Sequence, residues 1–289
     1  MSYILDTLSI YRTVGDIRHD DKLLRKAPSL DTTTADSALP RARGIDRVID
    51  ILECLKENRT PMTIGDISRK IRAPRSSTYE IVARLAEAGM LEIDNANRAF
   101  FGRAIYFYAD AYLASQPLLR HGRSEVLRLA KVHGETAQLC MLVGNKYTVG
   151  FMQPGASLFR IISEIGVLVP IPWTASGRLL VGGMTPDEIH ALIPDEDFRL
   201  PSGRTIDFDS FLADVERGMK ANVMMTVGLS DTYTCCLAAA IRDERGHPIA
   251  TLCFMIPANS EQARAQELLS HLNEAAARIS SAMSRELAE

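Results

Sequence analysis

Apolar residues recur at steps of three and four positions from Gly44 onward, which is the spacing of one face of an α-helix. The stripe consists of Ile45, Val48, Ile49, Leu52 and Leu55. Charged residues occupy the positions between these apolar residues, as expected for a helix with one solvent-exposed face. Residues 58–61, which end in a proline, predict its end.

A second helix is predicted to begin after Thr63. Its hydroxyl suits an N-cap, and Asp66 stands three residues later in a position like that of a capping box. Ile64, Ile67 and Ile71 supply its apolar face. The short turn 72–74 then leads to a third helix, and this order predicts a helix-turn-helix.

The third helix begins beside Pro74, because the N–H that proline lacks belongs to the unpaired donors of a first turn. Its first turn is polar, while Ile81, Val82 and Leu85 form its apolar face. Such a helix can lie in the DNA major groove with its polar side toward bases and phosphates. An ordinary amphipathic surface helix would show the same pattern, so the two helices before it favour the DNA-binding interpretation.

Two short strand-like segments, 90–93 and 99–101, follow the helix end that Gly89 predicts. Residues 94–97 between them have the composition of a turn. This hairpin makes the predicted domain a winged helix. Arg98 lies in it at a place that suits a contact with backbone phosphate.

The pattern changes in the second half of the chain. Residues 104–113 predict a helix with aromatic side chains on more than one side, which needs a cover such as a second subunit. Strand-like and helical segments then follow one another, and together they predict an α+β domain. The strands are 139–143, 147–152, 158–163, 223–227, 236–241 and 249–256, and the helices are near 124–133, 175–183, 208–221 and 261–285. In the last helix, Leu268, Leu269, Leu272, Ala276 and Ile279 form the predicted buried stripe.

Composition adds a charge asymmetry. The chain has 289 residues and a formal net charge of −3, but residues 41–103 carry twelve Lys and Arg against nine Asp and Glu. Residues 104–289 carry sixteen basic against twenty-one acidic residues. A mildly basic part joined to an acidic part is consistent with DNA binding by the first part only.

The five cysteines contain no C-x-x-C pair and no histidine at zinc-ligand spacing, so we expect reduced thiols in a cytoplasmic protein and no metal or other cofactor. The N-terminal residues do not resemble a signal peptide, and no apolar run has the roughly 20 residues that would span a membrane.

The histidines at 133, 190, 247 and 271 show no partner at catalytic spacing. We therefore predict no enzyme activity. Cys235 and Cys236 are adjacent, and strand alternation predicts that one faces the core and the other faces outward.

Four segments of the first half, in this order, resemble the IclR family of bacterial transcription regulators. They are Gly44-Ile45-Asp46-Arg47-Val48, Thr63-Ile64-Gly65-Asp66-Ile67-Ser68, Pro74-Arg75-Ser76-Ser77-Thr78 and Glu87-Ala88-Gly89-Met90-Leu91. In the second half, Thr174-Ala175-Ser176-Gly177 matches the family's Thr-Ala-x-Gly segment after a proline. The similarity covers about residues 41 to 285.

We expect four parts. The first is a partly flexible N-terminal extension (1–40), which lies outside the resemblance. The resemblance implies the other three: a winged helix-turn-helix (41–103), a linker and dimerisation helix (104–118), and a GAF-like α+β effector-binding domain (119–289). The implied function is a ligand-responsive transcription regulator that binds double-stranded DNA at a near-palindromic operator. The implied assembly is a dimer or a dimer of dimers, and no membrane is involved. We expect DNA contacts from Arg43, Thr63, Arg75, Ser76, Ser77, Thr78, Tyr79, Arg84 and Arg98, with Arg41 as a further phosphate contact.

The resemblance also implies an effector site between the Thr-Ala-x-Gly segment and the last strands. The matching positions are Trp173, Thr174, Ala175, Gly177, Cys236, Cys253 and Met255. Backbone N–H groups at 175–177 would receive a carboxylate. Family members often carry a Glu near 224–228 and Ser-x-Ser at 253–255, and the apolar residues found here favour an aromatic acid or a related compound.

Two alternatives remain open on the sequence. Cys235 and Cys236 would make the protein a thiol-based redox sensor if they respond to oxidants. Alternatively, the second domain binds a small molecule and the helical N-terminal domain serves only protein contacts.

Overall fold

The computed structural model describes residues 43–156 and 164–288. The N-terminal extension 1–40, Arg41, the side chain of Arg43 and the predicted strand 158–163 lie outside this description. The chain divides between Ser115 and Gln116 into two compact units, and the dividing point falls inside the predicted linker. No described helix has both the length and the apolar character needed to cross a bilayer.

The first unit is a winged helix-turn-helix. Its elements are α1 (Arg43–Asn58), β1 (Met62–Thr63), α2 (Ile64–Lys70), α3 (Arg75–Glu87), β2 (Leu91–Ile93), β3 (Arg98–Phe101) and α4 (Arg103–Ser115). The strands form an antiparallel sheet in the order β1-β3-β2. The three predicted helices and the predicted hairpin are confirmed, whereas β1 was not anticipated, because two residues are too few to show a period.

The core of this unit differs from the predicted stripe of α1. Ile51, Cys54 and Leu55 are buried against α2 and α3, while Ile45 and Ile49 are 65% and 53% exposed. Ile45 and Ile49, two members of the predicted stripe, therefore lie outside the core of this unit. Periodicity defined an apolar side of α1, but tertiary contacts leave its first residues exposed, cover Val48 and Leu52 in part, and bury Leu55 completely.

The second unit is built on a six-stranded antiparallel sheet with the order β6-β5-β4-β9-β8-β7. Its elements are α5 (Pro117–His133), β4 (Thr136–Val143), β5 (Lys146–Gln153), β6 (Leu168–Pro170), α6 (Ala175–Leu180), α7 (Pro186–Leu192), α8 (Phe208–Ala221), β7 (Val223–Val227), β8 (Thr234–Arg242), β9 (Pro248–Pro257) and α9 (Gln262–Ala288). The α+β architecture is confirmed. The sequence did not reveal β6 or α7, although Thr185 and Glu188 form a capping box at the start of α7.

The sheet is covered on both faces. Leu139, Leu237 and Leu252 pack with α5 and α9 on one side, and Cys140, Cys236 and Cys253 pack with α6 on the other. Strands buried on two sides carry almost continuous apolar residues, as β8 does. The stripe of α9 matches the prediction except that Leu269 is only partly buried.

Candidate nucleic-acid interface and ligand site

Helix α3 has one buried and one exposed side. Thr78, Val82 and Leu85, at successive turns, are buried in the core of the first unit. The exposed side carries charged and polar groups, with one alanine among them: Arg75, Ser76, Tyr79, Glu80, Ala83 and Arg84. This side has the size and chemistry needed to read a DNA groove. Glu80, which belongs to it, was not among the predicted contacts.

Thr78 is not available to DNA, contrary to the prediction, because its side chain is fully buried. Its hydroxyl donates a hydrogen bond of 3.0 Å to the carbonyl of Pro74. Ser77, which is half-buried, donates to the same carbonyl at 3.0 Å. Both side chains thus bond the backbone at the start of α3, which is a common local use of short hydroxyl residues.

The N-terminus of α2 lies beside α3. Thr63 is the N-cap, as predicted, since its Oγ1 accepts a hydrogen bond of 3.2 Å from the N–H of Asp66. The Thr63 hydroxyl also donates to the Asp66 carboxylate, and this bond, with help from Arg69 and Arg75, lowers the pKa of Asp66. The guanidinium of Arg75 lies over Gly65, so it occupies the space between the first turns of the two helices.

The wing presents an arginine that already has a carboxylate partner. Arg98 Nε donates to Asp94 Oδ2 at 2.8 Å, and its backbone N–H donates to Asp94 Oδ1 at 2.9 Å. The bond from the Arg98 side chain lowers the pKa of Asp94. Arg84 on α3 is similarly paired with Glu87 at 3.1 Å. A DNA phosphate would have to compete with these two carboxylates.

The candidate ligand site lies between α6 and the sheet. Three predicted residues, Ala175, Cys236 and Cys253, belong to one buried cluster there, and Met255 packs against it. The Cys253 thiol lies 3.9 Å from the Cys140 sulfur and donates to Gln138 Oε1 at 3.3 Å. A hydrogen bond with Cys253, together with burial, holds the pKa of Cys236 well above its usual range, so that this thiol stays protonated.

Polar groups that the sequence did not reveal also face this region. Gln138, Tyr147 and Ser176 are buried there, and Thr226 on β7 joins them. The Ser176 hydroxyl interacts with the Cys253 thiol and has no further hydrogen-bond partner among the described residues. The site is therefore more polar than residues 224–228 and 253–255 suggested, because β4, β5 and α6 contribute polar side chains as well.

The backbone donors at the start of α6 have partners within the protein. The N–H of Ala175 donates to Thr226 Oγ1 at 3.0 Å, and the N–H of Gly177 donates to Thr174 Oγ1 at 3.1 Å. A carboxylate that bound Ala175 would have to replace the Thr226 hydroxyl. Trp173 lies outside the cluster, and its indole N–H donates to the carbonyl of Asp197 at 2.8 Å.

Cys235 and Cys236 point to opposite faces of β8, as alternation predicts, but neither faces outward. That part of the prediction is wrong because helices cover both faces of the sheet. Burial raises the pKa of Cys235 to about 11. Since the thiolate is the reactive form of cysteine, both environments disfavour an oxidant-sensing role for this pair.

Comparison with protein-family models gives two matches. The IclR helix-turn-helix domain matches residues 44–95, and the C-terminal domain of the bacterial transcriptional regulator IclR matches residues 110–281. Together they match most of each unit described above and more than half of the chain.

Curated relatives and solved structures agree with these matches. The transcriptional repressor AllR of Salmonella typhi is 23% identical over 225 residues, which are 75% of this chain and 81% of AllR. A putative transcriptional regulator from Rhodococcus sp. RHA1 has the same fold, with a TM-score of 0.74 and 19% identity over 85% of this chain and 99% of its own. An IclR homologue from Microbacterium hydrocarbonoxydans, solved in complex with 4-hydroxybenzoate, gives a TM-score of 0.72 and 20% identity over 84% and 99% of the two chains.

Proposed function

Because the chain belongs to the IclR family of bacterial transcription regulators, we propose that it binds a near-palindromic operator as a homo-oligomer and responds to a small organic acid. Family membership makes the chain a DNA-binding transcription regulator with an effector-binding domain, rather than an enzyme. The operator, the assembly and the effector belong to the proposal. A regulator of this kind acts on chromosomal DNA, so we expect the protein in the cytoplasm.

The exposed side of α3 carries the DNA-binding part of the proposal. Arg75, Ser76 and Tyr79 lie together on the first turns of a helix whose opposite side is fixed in the core. Arginine can bind guanine with two hydrogen bonds, and serine can donate to or accept from a base edge. Arg84 and Arg98, further along α3 and on the wing, are our candidates for phosphate contacts, and Arg43 at the start of α1 is a further candidate.

Selection of bound duplexes from a random DNA pool tests this proposal directly. The purified full chain at moderate salt should enrich an inverted repeat whose half-sites lie about one helical turn apart. If the protein binds DNA only in a salt-sensitive manner and enriches no sequence, the proposed operator recognition is wrong.

Two arginine variants separate base reading from phosphate binding. Arg75→Ala should relax the preference at one position of the selected site and cost about 1–3 kcal/mol of binding free energy. Arg98→Ala should weaken binding to all duplexes and lower the slope of affinity against salt by about one. Arg217→Ala on α8, which also removes an exposed arginine paired with an aspartate, is the control and should leave DNA binding unchanged.

The effector part rests on the cluster beneath α6. Thr174, Ala175, Cys236 and Cys253 are buried together with the amide of Gln138, so apolar walls are combined with a few hydrogen-bonding groups. That combination is typical of sites for small organic ligands. An aromatic acid remains the first candidate, and a fold neighbour that was solved with 4-hydroxybenzoate supports testing this class.

Titration calorimetry with 4-hydroxybenzoate, benzoate and short keto acids tests the effector class. We expect binding of an aromatic acid that changes operator affinity, and weaker binding in a Met255→Gln variant, because Met255 packs against the cluster. Tighter binding of a short keto acid would refute the aromatic preference. Equal binding by wild type and Met255→Gln would place the ligand elsewhere.

A further inference from the structure

Two histidines that are far apart in the sequence meet at the edge of the core of the second unit. His133 is the last residue of α5, and its ring lies 4.6 Å from the ring of His271 on α9, measured between centroids. Glu267 lies one turn before His271 on the same helix. The potential ligand atoms of His133, Glu267 and His271 all lie within 4.8 Å of one another. The sequence alone did not reveal that these two histidines lie close together.

The ring of His133 is available for a ligand. Its Nε2 is buried and has no hydrogen-bond partner among the described residues. A buried polar nitrogen without a partner often marks the place of a water molecule or an ion.

The neighbouring side chains would hold these groups in place. Arg264 Nη1 lies 3.0 Å from Glu267 Oε2, and its Nη2 donates to the carbonyl of His133 at 2.9 Å. His271 Nε2 lies 3.9 Å from Glu267 Oε1. His271 Nδ1 lies 3.9 Å from Glu274 Oε2, so one ring nitrogen can bind an ion while the other turns toward a carboxylate, as metal-bound histidines commonly do.

We propose that His133, Glu267 and His271 bind a divalent transition-metal ion, with Zn²⁺ as the reference ion. Two imidazole nitrogens and one carboxylate favour such an ion over Mg²⁺ or Ca²⁺, which prefer oxygen ligands. Zinc bonds of about 2.0–2.2 Å require the three atoms to approach one another by small side-chain rotations. Water would complete the coordination, and the ion would join the end of α5 to α9.

Metal titration of the full chain tests the proposal without knowledge of DNA or effector. Tag-free protein is treated with a chelator, exchanged into metal-free buffer, and titrated with Zn²⁺ against a coloured indicator. We expect one equivalent per chain and a higher melting temperature in the presence of Zn²⁺. Co²⁺ should produce visible absorption bands of a bound ion.

Single-residue variants test whether His133 and His271 are the residues that bind the ion. His271→Gln, at a partly exposed position, should abolish the stoichiometric binding and the Zn²⁺-dependent rise in melting temperature while leaving the metal-free melting temperature close to that of wild type. His133→Gln should do the same even if it lowers the basal stability. His190→Gln removes an exposed histidine on α7 and should retain full binding. Binding of less than one equivalent, or binding that both His271→Gln and His133→Gln retain, would overturn the proposal.

Discussion

Gly177 lies so close to the backbone of Ile171 that a side chain does not fit between them. A Cβ at Gly177 would stand 2.2 Å from the Ile171 carbonyl oxygen. Gly177→Ala should therefore force a shift of α6 and destabilise the second unit by at least about 1–3 kcal/mol, the usual cost of overpacking. Urea unfolding followed by circular dichroism measures this change.

Gly44→Ala, in the first unit, is the control for Gly177→Ala, because it adds the same methyl group at a position with open space. A Cβ there meets no atom within 4 Å, and the residue is helical, so alanine should be neutral or slightly stabilising. If Gly177→Ala unfolds at the same urea concentration as wild type, the close contact with Ile171 does not constrain α6.

The buried thiols predict slow alkylation. All five cysteines are buried, and the pKa of Cys235 is raised to about 11, so at pH 8 only about 0.1% of that thiol is ionised. Because a raised pKa shifts thiolate formation to higher pH, labelling by iodoacetamide should remain slow at pH 8 and accelerate toward pH 11. Mass spectrometry of the native protein measures labelling at each cysteine. Rapid labelling of Cys235 or Cys236 at neutral pH would show a reactive thiol and would support the redox-sensor hypothesis instead.

At the scale of elements, Asn222 connects α8, β8 and α9. Its φ of 59° is left-handed, its Nδ2 donates to the carbonyl of Ala240 at 3.1 Å and to Asn273 Oδ1 at 2.8 Å, and its Oδ1 accepts from Arg242 at 2.6 Å. Asn222→Gly keeps the backbone conformation but loses these bonds, which should cost about 1–3 kcal/mol. Asn222→Ala should cost about 1 kcal/mol more, because alanine is strained in this conformation.

Thermal and urea unfolding of the two variants separate the contributions of the side chain and the backbone. Asn273→Ala, which removes only one of the bonds, serves as the comparison and should be less damaging than either change at Asn222. Equal stability of Asn222→Gly and wild type would show that the amide does not hold the three elements together.

A variant of the wing tests whether the Asp94 carboxylate and a DNA phosphate compete for the Arg98 side chain. Asp94→Asn keeps an oxygen acceptor for the N–H groups of Ala96 and Arg98 but removes a negative charge beside the Arg98 guanidinium. We expect a modest increase in DNA affinity and a steeper salt dependence, because Arg98 is then free to bind phosphate. Fluorescence anisotropy at several salt concentrations measures both. Unchanged or weaker binding, with the fold intact, would argue against a phosphate contact at Arg98.

At the scale of the whole molecule, α4 carries the most prominent exposed aromatic surface of the first unit. Tyr106, Phe107 and Tyr108 are 68%, 62% and 59% exposed. Contiguous apolar surface of this kind usually marks an interface with another protein. The double variant Tyr106→Ser/Phe107→Ser should shift the protein toward monomers and weaken operator binding, as measured by analytical ultracentrifugation and anisotropy.

Leu127→Ser on α5 is a suitable control for this variant, since Leu127 is also exposed and lies in the second unit. It should leave the mass in solution unchanged. If the double variant keeps the mass of wild type, α4 does not form the proposed subunit interface.

Local signals explain why much of the fold could be predicted. Thr63 before an apolar period, Gly89 after one and the turn at 94–97 each act within a few residues, and each appears where predicted. The same is true of α8, whose apolar period runs from Phe208 to Ala221. In contrast, β1 and β6 are too short to show a pattern, and they exist because a neighbouring strand supplies their hydrogen bonds.

The candidate sites depended more on contacts between distant segments. Periodicity placed residues on α3 but did not show that Thr78 points inward, because a threonine beside serines suits either side of a helix. Motif similarity predicted Ala175, Cys236 and Cys253, whereas it did not single out Gln138 and Thr226, which the packing of the strands brings to the same cluster.

The sequence by itself determined the order of most elements, the winged helix-turn-helix and the family, because these follow from local period, capping residues and short motifs. Only the tertiary structure decided which side of each apolar helix is covered, that both faces of β8 are buried, and that His133 and His271 meet. The physical reason is that burial and proximity arise from the packing of remote segments. Local periodicity specifies an apolar face but not the segment that will cover it.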